Sequence, residues 1–538
     1  MRYKVLILEL FLLLCVVEIR SQEWIRIYGD TINTLTNKVH EHYDKGYIFT
    51  GKREEGWTWF GWVMKTDING YTRWTKSYGL IDKMNPISSS RITSDGGIIA
   101  IGGSNNLSLN CDDPIIFKIN PCGEKEWCRI YNAPGCNGYG IDIEPIPGGG
   151  YMALFDRWKS GSEEIIWLFR LDSIGEVIWA QVYATAPDFW SEWTHSLLIT
   201  NDTSFVITGE VYYPDPTYPS IKIIKILLIK VNLDGVPIFE VPWGSNNGIY
   251  SDGRLSTTDS KNNIYTAGRR ARKSSPFGDS PCLFKTSATG EPVFYKDLKQ
   301  SSSLGIATTV DWFQDSTLVQ CAYWGEQVGN DTTGLIKTDS LGNMIKVEPL
   351  LINSTCSFYG SDITYNNRLI LAGRVYETGV YNSYAFKLNS DLEYDSIYTN
   401  PFTYDSLCPN PITSDTITLD DCEVVIVGVD EALQYPKTTK LRIYPNPASE
   451  TINIVMPKYL IKETKNLGLT ATTIYHQWKN ARLEVFDVFG RLMFSREIPQ
   501  KDKNIVLDVF SWSEGMYVTR VVLMNEVVAT AKFIVNQK

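Results

Sequence analysis

Histidine is scarce. Among 538 residues there are four, His40, His42, His195 and His476. No Gly-x-Ser-x-Gly elbow, Walker loop or dinucleotide fingerprint accompanies them, so the familiar routes to acyl, phosphoryl and hydride transfer have no sequence support. Positive charge is also in deficit, with 51 Lys and Arg against 61 Asp and Glu and a net charge of −10. A surface of that sign repels phosphate backbones instead of releasing their counterions, which makes nucleic acid and anionic membrane poor candidates as partners. Beyond the first twenty residues no apolar run approaches the ~20 residues that cross a bilayer, so no transmembrane segment is expected.

What is present begins with a leader. Arg2 and Lys4 precede an apolar run from Val5 to Val17, and Ser21 before Gln22 offers a small residue for cleavage, which makes 1–21 a secretory signal peptide. One of the ten cysteines, Cys15, lies in it. Nine remain, an odd number whose pairing spacing cannot give: the partners of Cys111, Cys122, Cys128, Cys136, Cys282, Cys321 and Cys356 stay open. Cys408 and Cys422, close together in a proline-marked stretch, are expected to bridge each other.

Most of the chain is one motif rewritten. A turn glycine recurs at Gly70, Gly123, Gly175, Gly235, Gly290 and Gly342, about 52 to 60 residues apart. Five positions earlier stands a cation (Lys65, Lys118, Arg170, Lys230, Lys285, Lys337), and three earlier an Asp, Asn or Ser that suits a turn. Four positions after it come Trp74, Trp127, Trp179, Phe239 and Phe294; eight after it come Tyr78, Tyr131, Tyr183, Trp243 and Leu298. Even offsets on a strand share a face, so each copy is a hairpin with one heavy apolar side. A seventh copy keeps Lys387 and Asn389 but has Leu392 for glycine. Short Gly-rich runs before each hairpin, such as Gly96–Gly103, complete four strands per unit, and their glycine suggests backbones crowding at a central channel. Units of this size predict an all-β chain whose residues 22–400 form a β-propeller of seven blades, with six or eight open. Trp24–Tyr28 repeats the end of a unit and is expected to pair into the last blade.

Residues 401–439 break the pattern and read as a linker with the expected disulfide. Residues 440–538 carry strand runs of a small β-sandwich.

Chemistry is thinly signalled. His40-Glu41-His42 reads as a solvated strand, and His195 as a packed interblade histidine or, alternatively, a general base. The repeated cation and its Asp or Asn two residues on are expected to form a structural network between blades. Acid pairs such as Asp112-Asp113 arise by chance among so many carboxylates, and no catalytic residue, cofactor or metal is assigned. Aromatic residues outside the repeat offer a ligand face: Trp57, Trp59, Trp190, Trp193, Tyr212, Tyr213, Tyr218 and Trp324.

The end of the chain carries a resemblance. Ile443-Tyr444-Pro445-Asn446-Pro447-Ala448, Phe486-Asp487-Val488-Phe489-Gly490-Arg491, Glu514-Gly515-Met516-Tyr517-Val518 and Lys532-Phe533-Ile534-Val535 resemble the type A C-terminal sorting domain of the type IX secretion system. The resemblance implies an immunoglobulin-like sandwich whose signal residues include Tyr444, Pro445, Asn446, Pro447, Asp487, Gly490, Gly515, Tyr517 and Lys532. It also implies export from a Gram-negative periplasm to the outer surface or medium, with the secretion machinery and its sortase as partners. An extra segment, Lys458 to Asn480, departs from the pattern. The whole then reads as an exported propeller that binds an extracellular glycan or protein. The alternatives are a secreted carbohydrate hydrolase or lyase, and a structural or motility component.

Overall fold

The computed structural model describes residues 23–536, apart from 30, 80–82, 107–110, 133–135, 160–163, 184–190, 215–221, 244–248, 273–279, 299–303, 326–331, 351–355, 378, 401, 427–438, 457–459, 467–468, 476–480, 499–503 and 524–525. The described residues hold strands and turns but no helix. Seven antiparallel sheets follow one another between Ile25 and Leu388, six with four strands in sequence order at their heart and the seventh with three. The first spans Thr34–Gly79, the second Ile87–Asn132, the third Cys136–Tyr183 and the fourth Ser191–Trp243. The fifth spans Ile249–Asp297, the sixth Leu304–Pro349, and the seventh Cys356–Leu388.

The seventh sheet borrows its fourth strand from the other end of the chain. Ile25–Tyr28 pairs antiparallel with Val380–Leu388, Ile25 opposite Phe386 and Tyr28 opposite Ser383. Each sheet touches the next, and the first strand of sheet one packs on the strands of sheet seven, so the series closes on itself.

The repeated aromatics and the repeated glycine turn out to be two halves of one clamp. Tyr78 donates its hydroxyl to the carbonyl of Gly123 in the next sheet (2.6 Å), and Tyr131 does the same to Gly175 (2.8 Å) and Tyr183 to Gly235 (2.7 Å). Tyr28 repeats the contact across the closure, to Gly70 at 2.9 Å. The repeated Trp lies flat on that same glycine. A Cβ at Gly175, where φ is +84°, would meet the Trp127 ring at 2.8 Å, so the glycine answers both to backbone handedness and to the neighbour's ring. The departure at Leu392 follows from the same rule. Sheet six carries Lys346 and Leu350 where the aromatics belong, and Leu392, held at φ 63°, fills the vacated space in one cluster with Leu350.

Tyr131→Phe should therefore lower stability by about 1–2 kcal/mol, because the buried Gly175 carbonyl loses its donor while the ring stays in place. Urea unfolding monitored by tryptophan fluorescence measures it. A variant as stable as the parent would show the hydroxyl to be incidental.

The repeated cation behaves differently from expectation. In four sheets its partner is an Asp in the hairpin turn between the first two strands of its own sheet, as with Lys118 and Asp95 (2.9 Å), Lys230 and Asp202 (3.0 Å) and Lys337 and Asp315 (3.2 Å), whereas Arg170 reaches across to Asp234 of sheet four at 3.7 Å, the contact between blades that was expected. The Asp or Asn two residues on is already occupied. Asp172 Oδ1, for example, accepts the backbone N–H groups of Ile174 (3.0 Å) and Glu176 (2.8 Å), an Asx turn that closes the glycine loop.

The stretch read as a linker straps the ring's outer wall. Asp415–Thr418 adds a parallel strand to the edge of sheet one and Glu423–Ile426 another to sheet two, which covers edges that would otherwise invite pairing. The expected Cys408–Cys422 bridge is not formed. Cys408 bonds Cys122 and Cys422 bonds Cys128, so each strap cysteine is tied to sheet two and not to its sequence neighbour. Cys282 and Cys321 are buried, away from the strap.

After the strap, a three-stranded sheet (Arg442–Tyr444, Thr451–Val455, Asn504–Asp508) faces a five-stranded one that includes Arg482–Asp487, Gly515–Leu523 and Glu526–Val535. Ile452, Ile454 and Leu507 from the first meet Leu483, Val485, Tyr517 and Phe533 from the second in one core. That core draws all of its residues from Leu441 onward.

Candidate functional site

The first strands of the seven sheets converge on one cavity of about 470 Å³, lined from every sheet. A second repeated device builds its wall. In six of the first strands a β-bulge inserts one extra residue: Asn37, Ser88, Ile141, His195, Arg254 and Tyr359. All six line the cavity.

The Gly-rich run in the second strand accommodates the bulge. A Cβ at Gly51 would stand 2.0 Å from the Leu35 carbonyl, at Gly209 2.1 Å from that of Trp193, and at Gly268 1.9 Å from that of Asp252. The crowding inferred from these glycines is therefore real. It is the bulged first strand that crowds them, and that strand lines the channel together with second-strand residues, among them Lys52 and Arg374, each directly after its glycine. The scaffold repeats while the bulge residue varies, so the variable positions carry the site's chemistry.

Among the described residues the lining is cationic and contains no carboxylate: Lys38, Lys52, Arg254 and Arg374 contribute the charge, His195 an imidazole, and Tyr139, Tyr323 and Tyr359 hydroxyls. Burial pushes Tyr139 up to about 12 and raises Tyr323, so both remain O–H donors. Lys52 and Arg374 come from neighbouring sheets and have no carboxylate partner among the described residues. Burial and then the Arg374 charge hold Lys52 below its ordinary value. Two unneutralised cations facing one space are costly unless an anion joins them.

Arg254 is held from behind. Its Nη2 donates to Asp252 Oδ2 at 3.0 Å, an acid that also pairs with Arg269 at 2.7 Å, and its Nη1 donates to His195 Nε2 at 3.2 Å. Guanidinium has no acceptor, so Nε2 is the acceptor and the imidazole proton sits on Nδ1. Glu210 lies 3.8 Å from the same nitrogen and accepts from Tyr212 at 2.9 Å. The carboxylates near the cavity are thus committed to positioning cations.

Beyond the cavity, further inner-strand residues form a charged plug. Arg91 pairs with Asp142 (3.2 Å) and Glu144 (2.8 Å). Burial pushes Asp311 up to about 6 and Asp362 up to about 7. Both lie above the unfolded value of 3.8, so their stabilising protonated form is lost as pH rises through 6 to 7. Asp311→Asn should raise the melting temperature at pH 8, with the gain shrinking toward nothing near pH 4 in a thermal series. An equal gain at both pH values would show that its ionisation plays no part.

The histidines exchange the roles expected of them. His40 and His42, taken for a solvated pair, donate to carbonyls of sheet two, Ser90 and Gly96, each at 2.7 Å. Burial drives His40 down to about 3, so it stays neutral. His195, expected to pack between sheets, instead lines the cavity.

Of the aromatic face, Tyr212 is half-buried behind His195, and Trp193 is exposed on the bulged strand of sheet four. Trp57 is fully exposed, and Trp59 lies under Lys52 at 4.8 Å. Tyr213 and Trp324 occupy strand positions, their side chains outside the described residues, as are Trp190, Tyr218 and the cleavage residues Ser21 and Gln22. The cations at the site were not singled out from the sequence; the glycine opposite each bulge was the signal that could have located Arg254.

In the C-terminal unit the signal residues cluster on turns and the last strand. Asn446 Oδ1 accepts from Ile534 N (2.9 Å) and its Nδ2 donates to Lys532 O (3.3 Å). Asp487 accepts from Phe489 and Arg491 N–H, each at 2.9 Å, around Gly490 at φ 79°. Tyr517 is buried and donates to Ser513 O at 2.7 Å, Tyr444 is half-exposed, and Gly515 opens the strand. Pro445 and Pro447 both follow cis peptide bonds.

Residues 442–536 match the secretion system C-terminal sorting domain. Among curated proteins none matches this sequence. Among solved structures, a polysaccharide lyase described as PL25 ulvan lyase is similar at 8% identity and TM-score 0.46, covering 67% of this chain and 95% of that one. The propeller domain of the Trilobed protease from Pyrococcus furiosus is similar at 11% identity and TM-score 0.39, covering 70% and 99%. A protein of unknown function from Dyadobacter fermentans is similar at 9% and 0.40, covering 68% and 98%. Likenesses this distant say nothing of chemistry.

Proposed function

We propose that this chain, exported to the cell surface or beyond under its type IX sorting domain, is a seven-bladed propeller that binds an anionic extracellular glycan in its central funnel. The leader ending at Ser21 delivers it to a Gram-negative periplasm. The immunoglobulin-like tail engages the secretion machinery and is a substrate for its sortase. The observation that carries the binding role is the pair Lys52 and Arg374, two cations without a carboxylate in a cavity whose lining holds no acid. Arg254 supplies a third charge, pre-oriented by Asp252, and tyrosine hydroxyls add neutral donors. Carboxylate or sulfate groups on a sugar chain match that set, since guanidinium and ammonium donate to both.

Binding of polygalacturonate, a sulfated galactan and a neutral glucan to the full chain tests this. The charged polymers should bind and weaken steeply with salt, and Lys52→Glu with Arg374→Glu should cost at least about a hundredfold. Equal affinity for the neutral polymer, or indifference to the charge reversal, would remove the proposal.

A catalytic reading has one observation in its favour: His195, an imidazole without a proton on Nε2, stands in the wall beside Arg254. With Arg254 turned from Nε2 to the uronate carboxylate, His195 Nε2 would take the proton beside that carboxylate, a C=C bond would form as the glycosidic C–O bond breaks, and the leaving oxygen would take a proton from a wall tyrosine hydroxyl. Hydrolysis between two facing carboxylates lacks support, because the lining has none. Ultraviolet absorbance of an unsaturated sugar product, lost in His195→Ala, separates elimination from binding alone.

A further inference from the structure

The tyrosines of sheet seven that lie outside the funnel form a platform continuous with one of its cations. Tyr376 follows Arg374 by two positions on one strand, so both side chains leave the same face. Tyr381, directly across the hairpin from Tyr376, brings its ring to 4.9 Å from it. Arg374 Cζ lies 5.5 Å from the Tyr381 ring and 5.3 Å from that of Tyr359 in the cavity wall, and its Nη2 donates to Tyr359 Oη at 3.3 Å. Large rings at such positions are normally covered. Tyr376 is 48% exposed, Tyr381 38% and Tyr359 39%.

The platform is held in place. Tyr381 N–H donates to Asn33 Oδ1 (2.7 Å), and Asn33 is fixed in turn by Glu54 of sheet one, Nδ2 to Oε2 at 2.6 Å and Glu54 N–H to its carbonyl at 2.9 Å. The rim of sheet seven is thereby tied to the sheet that supplies Lys52.

We infer that Tyr376 and Tyr381 form an accessory subsite for a neighbouring sugar ring of the same anionic polymer, so that the ligand is an extended polysaccharide chain and not a terminal monosaccharide. The inference rests on the funnel reading above and names the ligand's dimension. Flat aromatic faces suit the C–H face of a pyranose, and the adjacent Arg374 fixes the register by holding the acidic group of the unit inside. Charge complementarity selects a polyanion over a peptide here, since the funnel presents donors and cations but no acid.

The test is a length series. Galacturonate oligomers of two, four and six units, and a sulfated galactan series, are titrated against the full chain by calorimetry. In one series or the other affinity should rise about tenfold from two units to six. Tyr376→Ala should bring that ratio close to one, and Tyr376→Phe should preserve it, because the face and not the hydroxyl is used. Lys52→Ala should weaken every oligomer by a similar factor and leave the ratio intact. A Tyr376→Ala protein that keeps the parent's length gain, or a parent with none, overturns the subsite while the funnel stands. Failure of both series to bind the parent overturns both. A thermal melt within a degree or two of the parent's establishes that the Tyr376 variants are folded, and with them folded the ratio decides.

Discussion

A chain ending before Leu441 should accumulate in the periplasm, with none reaching the cell exterior. The sorting domain is the element matched to the secretion family, and its core, from Leu441 to Val535, is complete without the ring. The ring's own core clusters draw no residue from it, and the strap that seals sheets one and two ends at Ile426. The retained chain should therefore be folded, resisting protease as the exported one does. Fractionation with immunodetection separates periplasm from medium and surface, and truncated chain outside an intact cell would sink the assignment. The loss is all-or-none because the tail carries the export signal; what it lends the ring is the pairing of Thr472 with Tyr183 at the edge of sheet three.

The second large effect concerns the strap. Cys408→Ser with Cys422→Ser should cost about 8–9 kcal/mol on chain entropy and make the strap the first site of proteolysis. Each bridge closes a loop of nearly three hundred residues (286 and 294 apart), and the entropy removed from an unfolded chain grows with the logarithm of loop length. The second bridge adds much less than the first, since once Cys122 and Cys408 are joined the remaining loop is short. Either single variant should therefore cost only about 1–3 kcal/mol. Guanidinium unfolding of the oxidised proteins measures all three. A double variant no less stable than the singles would mean that the strap's parallel strands and its ion pairs, Lys76 with Asp415 (2.7 Å) and Arg129 with Glu423 (3.1 Å), suffice without sulfur.

The cysteines show where sequence reasoning stops. Proximity along the chain favoured Cys408 with Cys422, but the strap crosses from the edge of sheet one to that of sheet two, and the thiols that meet it, Cys122 and Cys128, lie nearly three hundred residues earlier in the chain. The histidines fail similarly. A bulge adds a residue and reverses the alternation of inward and outward side chains, so parity counting from the strand's start assigns His195 to the wrong surroundings. The glycine opposite it, Gly209, carried the missing information in a different strand.

The clamp, by contrast, was visible in advance as spacing, though not as contact. Gly175, Trp127 and Tyr131 recur because the seams between sheets share one problem, and a ring laid on a glycine at six of them leaves a period in the sequence. Leu392 shows the rule from its exception, since the glycine disappears where the preceding sheet has no ring to lay on it.

The amino-acid sequence by itself determined the all-β repeat, the closing role of Trp24–Tyr28 and the secretion tail, because each is written in local pattern: periodicity, an orphaned strand, four motifs in order. Only the tertiary structure decided which side chains share the funnel, which thiols bond, and which Asp each repeated cation meets. Those partners lie tens to hundreds of residues apart, brought together within one sheet by its hairpin, across the funnel by closure of the ring and at the outer wall by the strap, and none of these meetings leaves a periodicity in the sequence.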